Sequence, residues 1–351
     1  MDKPVTIYDI AKKVNASAAT VSRVLSNSSY PVSLEMSKKI RKVAEELKYS
    51  PNMLGRQLKK NNSMTIGVII PSISNPFYSE IVLGIEEVAR NNGYHVLLCN
   101  THQSLELEHE YLQTLIEKQV NGLIISSVIL NKDMLSEYIR RKINVVSIDQ
   151  MIEDADIYQI GFDYRKGGYM ATSHLIAKGH RKIAFVTAPL DRPSRKGTYR
   201  GYLEALEDYG IKPLESWLQV SERGEEGIEG GTWEFAIGKK LTQRLLSLEQ
   251  RPTAIFACND MIAFGVINEL NNQGIEVPGE MSVIGFDNIE MTQMIYPPLT
   301  TIGHPKYEMG RFAGNMLFDL LKGVESNIKE VVLQPKLIER KSVEVLLDEE
   351  R

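Results

Sequence analysis

The stretch Thr6–Asn27, TIYDIAKKVNASAATVSRVLSN, reads as two short helices joined by a tight turn. With the 3.6-residue period, Ile7, Ile10, Ala11 and Val14 share one apolar face of the first helix. Thr6 is its predicted N-cap, with Asp9 three residues on as the partner in a capping box. Asn15-Ala16 is the turn, because Asn tolerates the left-handed conformation that ends a helix. Ser17 caps the second helix, whose inward face is Val21, Val24 and Leu25. Ala18, Ala19, Thr20, Ser22 and Arg23 face outward, followed by Ser26 and Asn27. That face has small groups, hydroxyls and one guanidinium, and no carboxylate. It suits the major groove, about 12 Å wide, where a helix meets base edges. The segment is therefore a predicted helix-turn-helix with its recognition helix second.

The competing reading is an ordinary helical hairpin. Charge separates the two. Residues 1–62 carry twelve Lys/Arg against five Asp/Glu, a balance of +7, while the whole chain is −4, so the remainder carries −11. A basic arm on an acidic body suits phosphate contacts, whose contribution to affinity depends strongly on salt. Ser33 then caps a predicted third helix, Leu34 to about Leu47, with Ile40, Val43, Ala44 and Leu47 inward. Ser50-Pro51 is a further helix start, Ser at N-cap and Pro at N1. The segment it opens, Asn52 to Lys60, is short and contains Gly55, so it is marginal as an isolated helix.

From Met64 the pattern becomes strands alternating with helices. TIGVII, YHVLLC, GLIISS and NVVSID alternate with predicted helices Tyr78–Asn91, Leu105–Lys118 and Asp133–Arg141. A second series has YQIGFD, KIAFVT, LQV, TAIFAC and MSVIGFD, with helices Arg165–Lys178, Tyr199–Tyr209, Thr232–Leu248 and Asp260–Gln273. Continuous apolar strands between helices predict parallel sheets covered on both faces, here two doubly wound subdomains. Ligands bind at the carboxyl ends of such strands. Ser72 to Tyr78, Asp149, Asn259-Asp260 and Asp287-Asn288 stand there. Asp260 reads as a helix cap. Asp287 reads as a ligand carboxylate, an acceptor for hydroxyls.

The 351 residues suit two or three domains. No apolar run reaches 18 residues, and MDKPVTIYD lacks a signal core, so a cytoplasmic location with no membrane span is expected. Cys99 and Cys258 end apolar runs and read as buried hydrophobes with no disulfide. The six histidines show no metal-ligand spacing, and neither G-x-G-x-x-G, a P-loop nor a G-x-S-x-G elbow occurs. No cofactor is expected. An enzyme on this core, or a secreted solute-binding protein, is disfavoured, the second also by the basic arm.

TIYDIAKKVNASAATVSRVL, YSPNMLGRQLKK and TIGVIIPSISNPFY together resemble the lactose/galactose repressor family of bacterial transcription factors, from about residue 4 to residue 343. The resemblance implies a headpiece at 1–49, a hinge at 50–62 and a periplasmic-binding-protein-like core at 63–343, with a tail at 344–351. Within the core it implies one subdomain at about 63–161 and 291–320 and a second at about 162–290 and 321–343, with crossovers near 161, 290 and 320. It implies a homodimer on a palindromic operator, with helices 78–91 and 105–118 as interface surfaces. Arg23 would hold a guanine, Ala18 and Ala19 would meet thymine methyls, and Tyr8, Ser17, Thr20 and Ser22 would contact phosphates. Asn27 and Asn52 join the implied DNA contacts. Leu58 matches a minor-groove wedge flanked by Arg56 and Lys59.

In the core, Asp149, Asn259 and Asp287 match effector contacts, and Trp233 matches an aromatic that stacks on the effector. Phe77 and Tyr78 lie in the loop that closes over it, and Ser72, after the first strand, is a further expected effector contact. Thr198 stands where many sugar- and purine-binding members have Arg, three residues before Gly201-Tyr202. Arg195, one turn earlier, is the guanidinium expected to reach the cleft. The expected effector is a sugar or sugar derivative. A phosphorylated partner protein is the alternative that the missing Arg leaves open.

Overall fold

The computed structural model describes residues 5–26, 30–49, 63–127, 132–152, 156–222, 233–324 and 327–346. The chain forms two units, 1–62 and 63–351.

In the first unit, α1 (Ile7–Val14), α2 (Ala18–Leu25) and α3 (Leu34–Glu46) follow one another. The Thr6 amide donates to the Asp9 carboxylate at 2.8 Å, the return half of the capping box. Asn15 takes φ +59°, and the Ala16 amide closes on the Ala11 carbonyl at 3.0 Å. Ser17 accepts from the Thr20 amide at 3.0 Å and Ser33 from the Met36 amide at 3.3 Å. Ile10, Ala11 and Val14 pack on Val21, Val24, Ile40, Val43 and Ala44. Ile7, Leu25 and Leu47 border that core half-buried.

The second unit has two six-stranded sheets. In chain order its elements are β1 (Thr65–Ile70), α4 (Pro76–Asn91), β2 (His95–Asn100), α5 (Leu105–Glu117), β3 (Gly122–Ile125), α6 (Lys132–Arg140), β4 (Asn144–Asp149) and β5 (Tyr158–Phe162). Next come α7 (Tyr164–Ala177), β6 (Ile183–Thr187), α8 (Pro193–Asp208), β7 (Leu218–Val220), α9 (Trp233–Leu246), β8 (Ala254–Ala257), α10 (Asp260–Asn272) and β9 (Ser282–Asp287). The chain closes with β10 (Thr300–Gly303), α11 (Lys306–Leu321), β11 (Glu330–Leu333) and β12 (Lys336–Ile338). The first sheet runs β11-β5-β4-β3-β1-β2 and is parallel throughout. The second runs β12-β10-β9-β8-β6-β7, with β12 antiparallel to β10. Two doubly wound subdomains are thus present, as the strand pattern predicts.

The crossovers differ from the expectation at two of three points. Thr300 pairs in parallel register with Ile284, so β10 extends the second sheet. The chain leaves that subdomain after Gly303, not near 290, because the buried TTIG run completes the sheet before the helix begins. α11 packs on α4, where Gly84 lies against the Tyr307 carbonyl and Gly310, with no room for a Cβ on either glycine. β11 still belongs to the first sheet, so the last crossover lies at 334–335 rather than near 320. Two helices also start earlier than predicted. Asn75-Pro76 and Arg192-Pro193 each place Pro at N1, where its missing N–H costs nothing.

Candidate functional sites

On the headpiece, α2 presents Ala19 and Arg23 exposed, with Ala18, Thr20 and Ser22 half-buried beside them. Ser17 and Tyr8 are exposed at the same unit's surface, Tyr8 by 71%. The Ser17 and Thr20 hydroxyls are 2.8 Å apart. The Arg23 guanidinium lies 4.0 Å over the Tyr30 ring, a cation–π contact the sequence reading did not include. Asn27, Asn52, Arg56, Leu58 and Lys59 lie outside the described residues.

In the core, a cavity opens between the two sheets at the carboxyl ends of β1, β4, β6, β8 and β9. Ser72, Phe77, Tyr78, Asp149, Arg195, Thr198, Asn259 and Asp287 all line it. Trp233 does not. It opens α9 and is buried with Ile237, Leu241 and Leu245, one side chain per turn on the core face. The expected stacking aromatic is therefore a core residue, and its neighbour Glu234 faces the cavity instead. Gln103, Gln150, Tyr164, Arg192, Ser194 and Phe286 also line it and were missed. Arg192 and Ser194 escaped notice because the start of α8 was placed six residues late.

Asp149 sits at φ +71° with its carboxylate at the centre of a donor cluster. It accepts from the Tyr78 hydroxyl at 3.1 Å, Gln150 Nε2 at 2.8 Å, Ser126 Oγ at 3.3 Å and the Tyr164 hydroxyl. Burial first, then the Asp149 charge, pushes both phenols up from their ordinary value, so they remain hydrogen-bond donors. Glu234 accepts from Asn75 Nδ2 at 2.9 Å and Asn259 Nδ2 at 2.7 Å. Burial raises its carboxyl, opposed chiefly by Arg195. Arg195 donates to the Pro189 carbonyl at 3.1 Å and lies 3.5 Å from Asp191. Arg192 reaches Gln103 Oε1 at 2.8 Å, so two guanidinium groups enter the cleft where one was expected. Thr198 donates to the Ser194 carbonyl at 3.0 Å within its own helix.

Asp260 corrects another expectation. Asn259 is the cap, accepting from the Ile262 amide at 2.8 Å. Asp260 is fully buried and accepts from the Ile289 amide at 2.9 Å and the Thr301 hydroxyl at 2.6 Å. Burial lifts its carboxyl to about 7. Burial and then Asp260 hold Asp287 well above the carboxylate range. Behind Asp287, His304 stacks on Phe162 with centroids 3.5 Å apart and brings Nε2 within 3.5 Å of the Asp287 carboxylate. Burial depresses the imidazole. Cys99 and Cys258 are buried free thiols. Among the described residues no helix is long and apolar enough to cross a membrane, and no cluster of metal-ligating side chains occurs.

The headpiece unit carries a hydroxyl- and guanidinium-bearing helix, and the core unit, by itself, carries a polar, carboxyl-rich cleft. The family described as bacterial regulatory proteins, lacI family, matches residues 6–52, and the periplasmic binding protein-like domain matches residues 172–343. The chain is 35% identical over 342 residues to the HTH-type transcriptional repressor PurR of Edwardsiella ictaluri (strain 93-146), covering 96% of each. A Lac repressor dimer bound to operator and the anti-inducer ONPF superposes with TM-score 0.85 at 28% identity, over 97% of this chain and all of that one. A LacI family transcriptional regulator from Enterococcus faecium with bound ribose gives TM-score 0.70 at 30% identity, over 81% of this chain and all of the other. The chain belongs to the lacI family of bacterial regulatory proteins and is a DNA-binding regulator of transcription, not an enzyme.

Proposed function

We propose that the chain acts as a homodimer in the cytoplasm, represses transcription from a palindromic operator, and is controlled by a neutral polyhydroxylated molecule, a sugar or sugar derivative. The observation that carries the effector reading is the cavity itself. Asp149 of one subdomain and Glu234 and Asp287 of the other converge on it, and carboxyl oxygens accept from ligand hydroxyls. Arg192 and Arg195 are already engaged by Gln103, the Pro189 carbonyl and Asp191, which favours a neutral ligand over a phosphorylated one. The ribose held by the Enterococcus relative supports the same class. A cleft formed by both subdomains favours a small molecule over a phosphorylated partner protein.

Arg23 reads a guanine, Ala18 and Ala19 meet thymine methyls, Tyr8, Ser17, Thr20 and Ser22 position the unit on the phosphates, and Asn27 and Asn52 are further DNA contacts. Leu58, between Arg56 and Lys59, enters the minor groove. The Lac repressor relative, a dimer on its operator, supports the oligomer and the target. Leu83 on α4 and Leu105 on α5 are exposed, which supports those helices as the dimer surface. A ligand that favours one spacing of the subdomains shifts the DNA-competent fraction by its differential affinity for the two states.

The test has two arms. Selection from a random-sequence DNA pool is expected to return a two-fold symmetric site. A thermal-shift screen against sugars, sugar phosphates, nucleobases and amino acids is expected to return a neutral sugar, because ligand at 100 times Kd stabilises by about 2.7 kcal/mol. A hit confined to another class overturns the carbohydrate reading, and a non-symmetric selected site overturns the dimer.

A further inference from the structure

Asp287 and Asn288 are consecutive non-glycine residues at positive φ, +113° and +52°. Such backbone persists only where its surroundings over-determine it. Part of that restraint is local to the second subdomain. The Ile289 amide donates to Asp260 at 2.9 Å, and Arg340 donates to the Asn288 side chain at 2.7 Å. Gly285 leaves space for the Asp260 carboxylate that a Cβ would occupy.

The remaining restraint comes from the other subdomain. Lys306 is the first residue of α11, which packs on α4, β3 and β4. Its side chain is 2% exposed. The ammonium donates to the carbonyls of Asp287 and Asn288, both at 2.8 Å, and stands 3.5 Å from the Glu80 carboxylate on α4. An ammonium has three donors, and here three acceptors surround it, two from one subdomain and one from the other. A buried charge is tolerated only when it is paired in this way.

We propose that Lys306, braced by Glu80, is the positioning residue that holds the Asp287 backbone in its left-handed conformation and ties the cavity carboxylate to the α4–α11 layer. A ligand that engages Asp287 thereby acts on the junction of the two subdomains. The regulatory meaning rests on the effector reading above; the clamp itself does not, and its test needs no ligand.

The experiment is hydrogen exchange by mass spectrometry on the full chain, with the inter-subdomain distance distribution from one spin label on each subdomain. Lys306→Met fills a similar volume without a donor. It is expected to raise exchange in the segment 286–292 about tenfold or more, the scale of a lost charge-assisted hydrogen bond, and to broaden the distance distribution. The amides of β6, β8 and α7 keep their protection. Glu80→Gln, at a half-exposed site, is expected to raise exchange in the same segment by a smaller factor. Unchanged exchange at 286–292 in Lys306→Met overturns the proposal. So does a rise spread evenly over the core with the distance unaltered, since that marks a merely structural lysine. Should Lys306→Met not fold, Glu80→Gln decides: no change at 286–292 overturns the clamp.

Discussion

The Asn75 carboxamide in the first subdomain donates to the Glu234 carboxylate of the second at 2.9 Å. Gln103 with Arg192, and Gln150 with Ser194 at 2.9 Å, complete a polar seam across the cleft. The seam makes closure a matter of side-chain chemistry at helix starts, because Asn75, Arg192, Ser194 and Glu234 all stand at or within the first turns of α4, α8 and α9.

Asn75→Asp tests that seam. The new carboxylate still caps α4, accepting from the Phe77 amide as Asn75 does at 3.0 Å. It also opposes Glu234, whose carboxyl burial already raises. The closed population is expected to fall about tenfold, the worth of one hydrogen bond to a charged group. Spin labels on the two subdomains report it as a longer mean distance. The same mean distance as in the natural chain would show that closure does not depend on this contact.

Arg23 should carry discrimination rather than bulk affinity. Arg23→Lys keeps the charge and loses the planar fork. Binding to the selected operator is expected to weaken by about 1–3 kcal/mol, while binding to random DNA and its salt slope stay nearly constant. Tyr30→Ala removes the ring that lies 4.0 Å beneath the guanidinium, and an exposed cation–π contact is worth about 0.5–1 kcal/mol. Fluorescence anisotropy with both DNAs measures the two variants. Equal losses on operator and random DNA would place Arg23 on the phosphates.

Asp287 is best tested with Asn, because Asn tolerates positive φ and Ala at +113° is strained. Asp287→Asn is expected to raise the Kd of the sugar found by screening about threefold or more, the scale of a lost hydrogen bond between neutral groups (about 0.5–1.5 kcal/mol), and to leave operator affinity unaltered. Calorimetry and operator binding on one preparation give both values. An unchanged Kd would remove Asp287 from the ligand contacts.

How far the sequence carries depends on the range of the interactions involved. Thr6, Asn15, Ser17 and Ser33 act on partners three to five residues away, so the helix-turn-helix is legible residue by residue. Asp149 and Asp287 are legible because carboxylates directly after apolar strands stand at the mouth of a parallel sheet. The choice of sheet for TTIG is not legible, since Thr300 finds Ile284 across a long loop and nothing local to 300–303 names that partner. Trp233 and Glu234 differ by one position, 100° around a helix, and only the packed core decides which faces inward. Arg192 was legible in principle, because Pro193 at N1 marks the start of its helix. Lys306 and Asp260 were not, since their partners lie in segments far from them in sequence.

Asp260 predicts a pH dependence. Its carboxyl is near 7 in the folded core against 3.8 for an unperturbed Asp, with burial as the main cause and Thr301 and the Ile289 amide opposing it. Between those values the folded state binds more protons than the unfolded state, so this group makes stability fall as pH rises. The loss starts above about 4 and is complete above about 7. Asp260→Asn removes the titration and keeps the geometry: its oxygen accepts from the Ile289 amide and its nitrogen donates to the Thr301 hydroxyl. His180 and His304 titrate in both chains and cancel in the difference, whereas Asp287, which Asp260 helps to raise, drops in Asp260→Asn and moves the difference in the same direction. The Tm of Asp260→Asn minus that of the natural chain is expected to grow by a few degrees from pH 5 to pH 8, at about 2–4 °C per kcal/mol. Calorimetry across that range measures it, and a difference that stays flat would mean that Asp260 is ionised throughout.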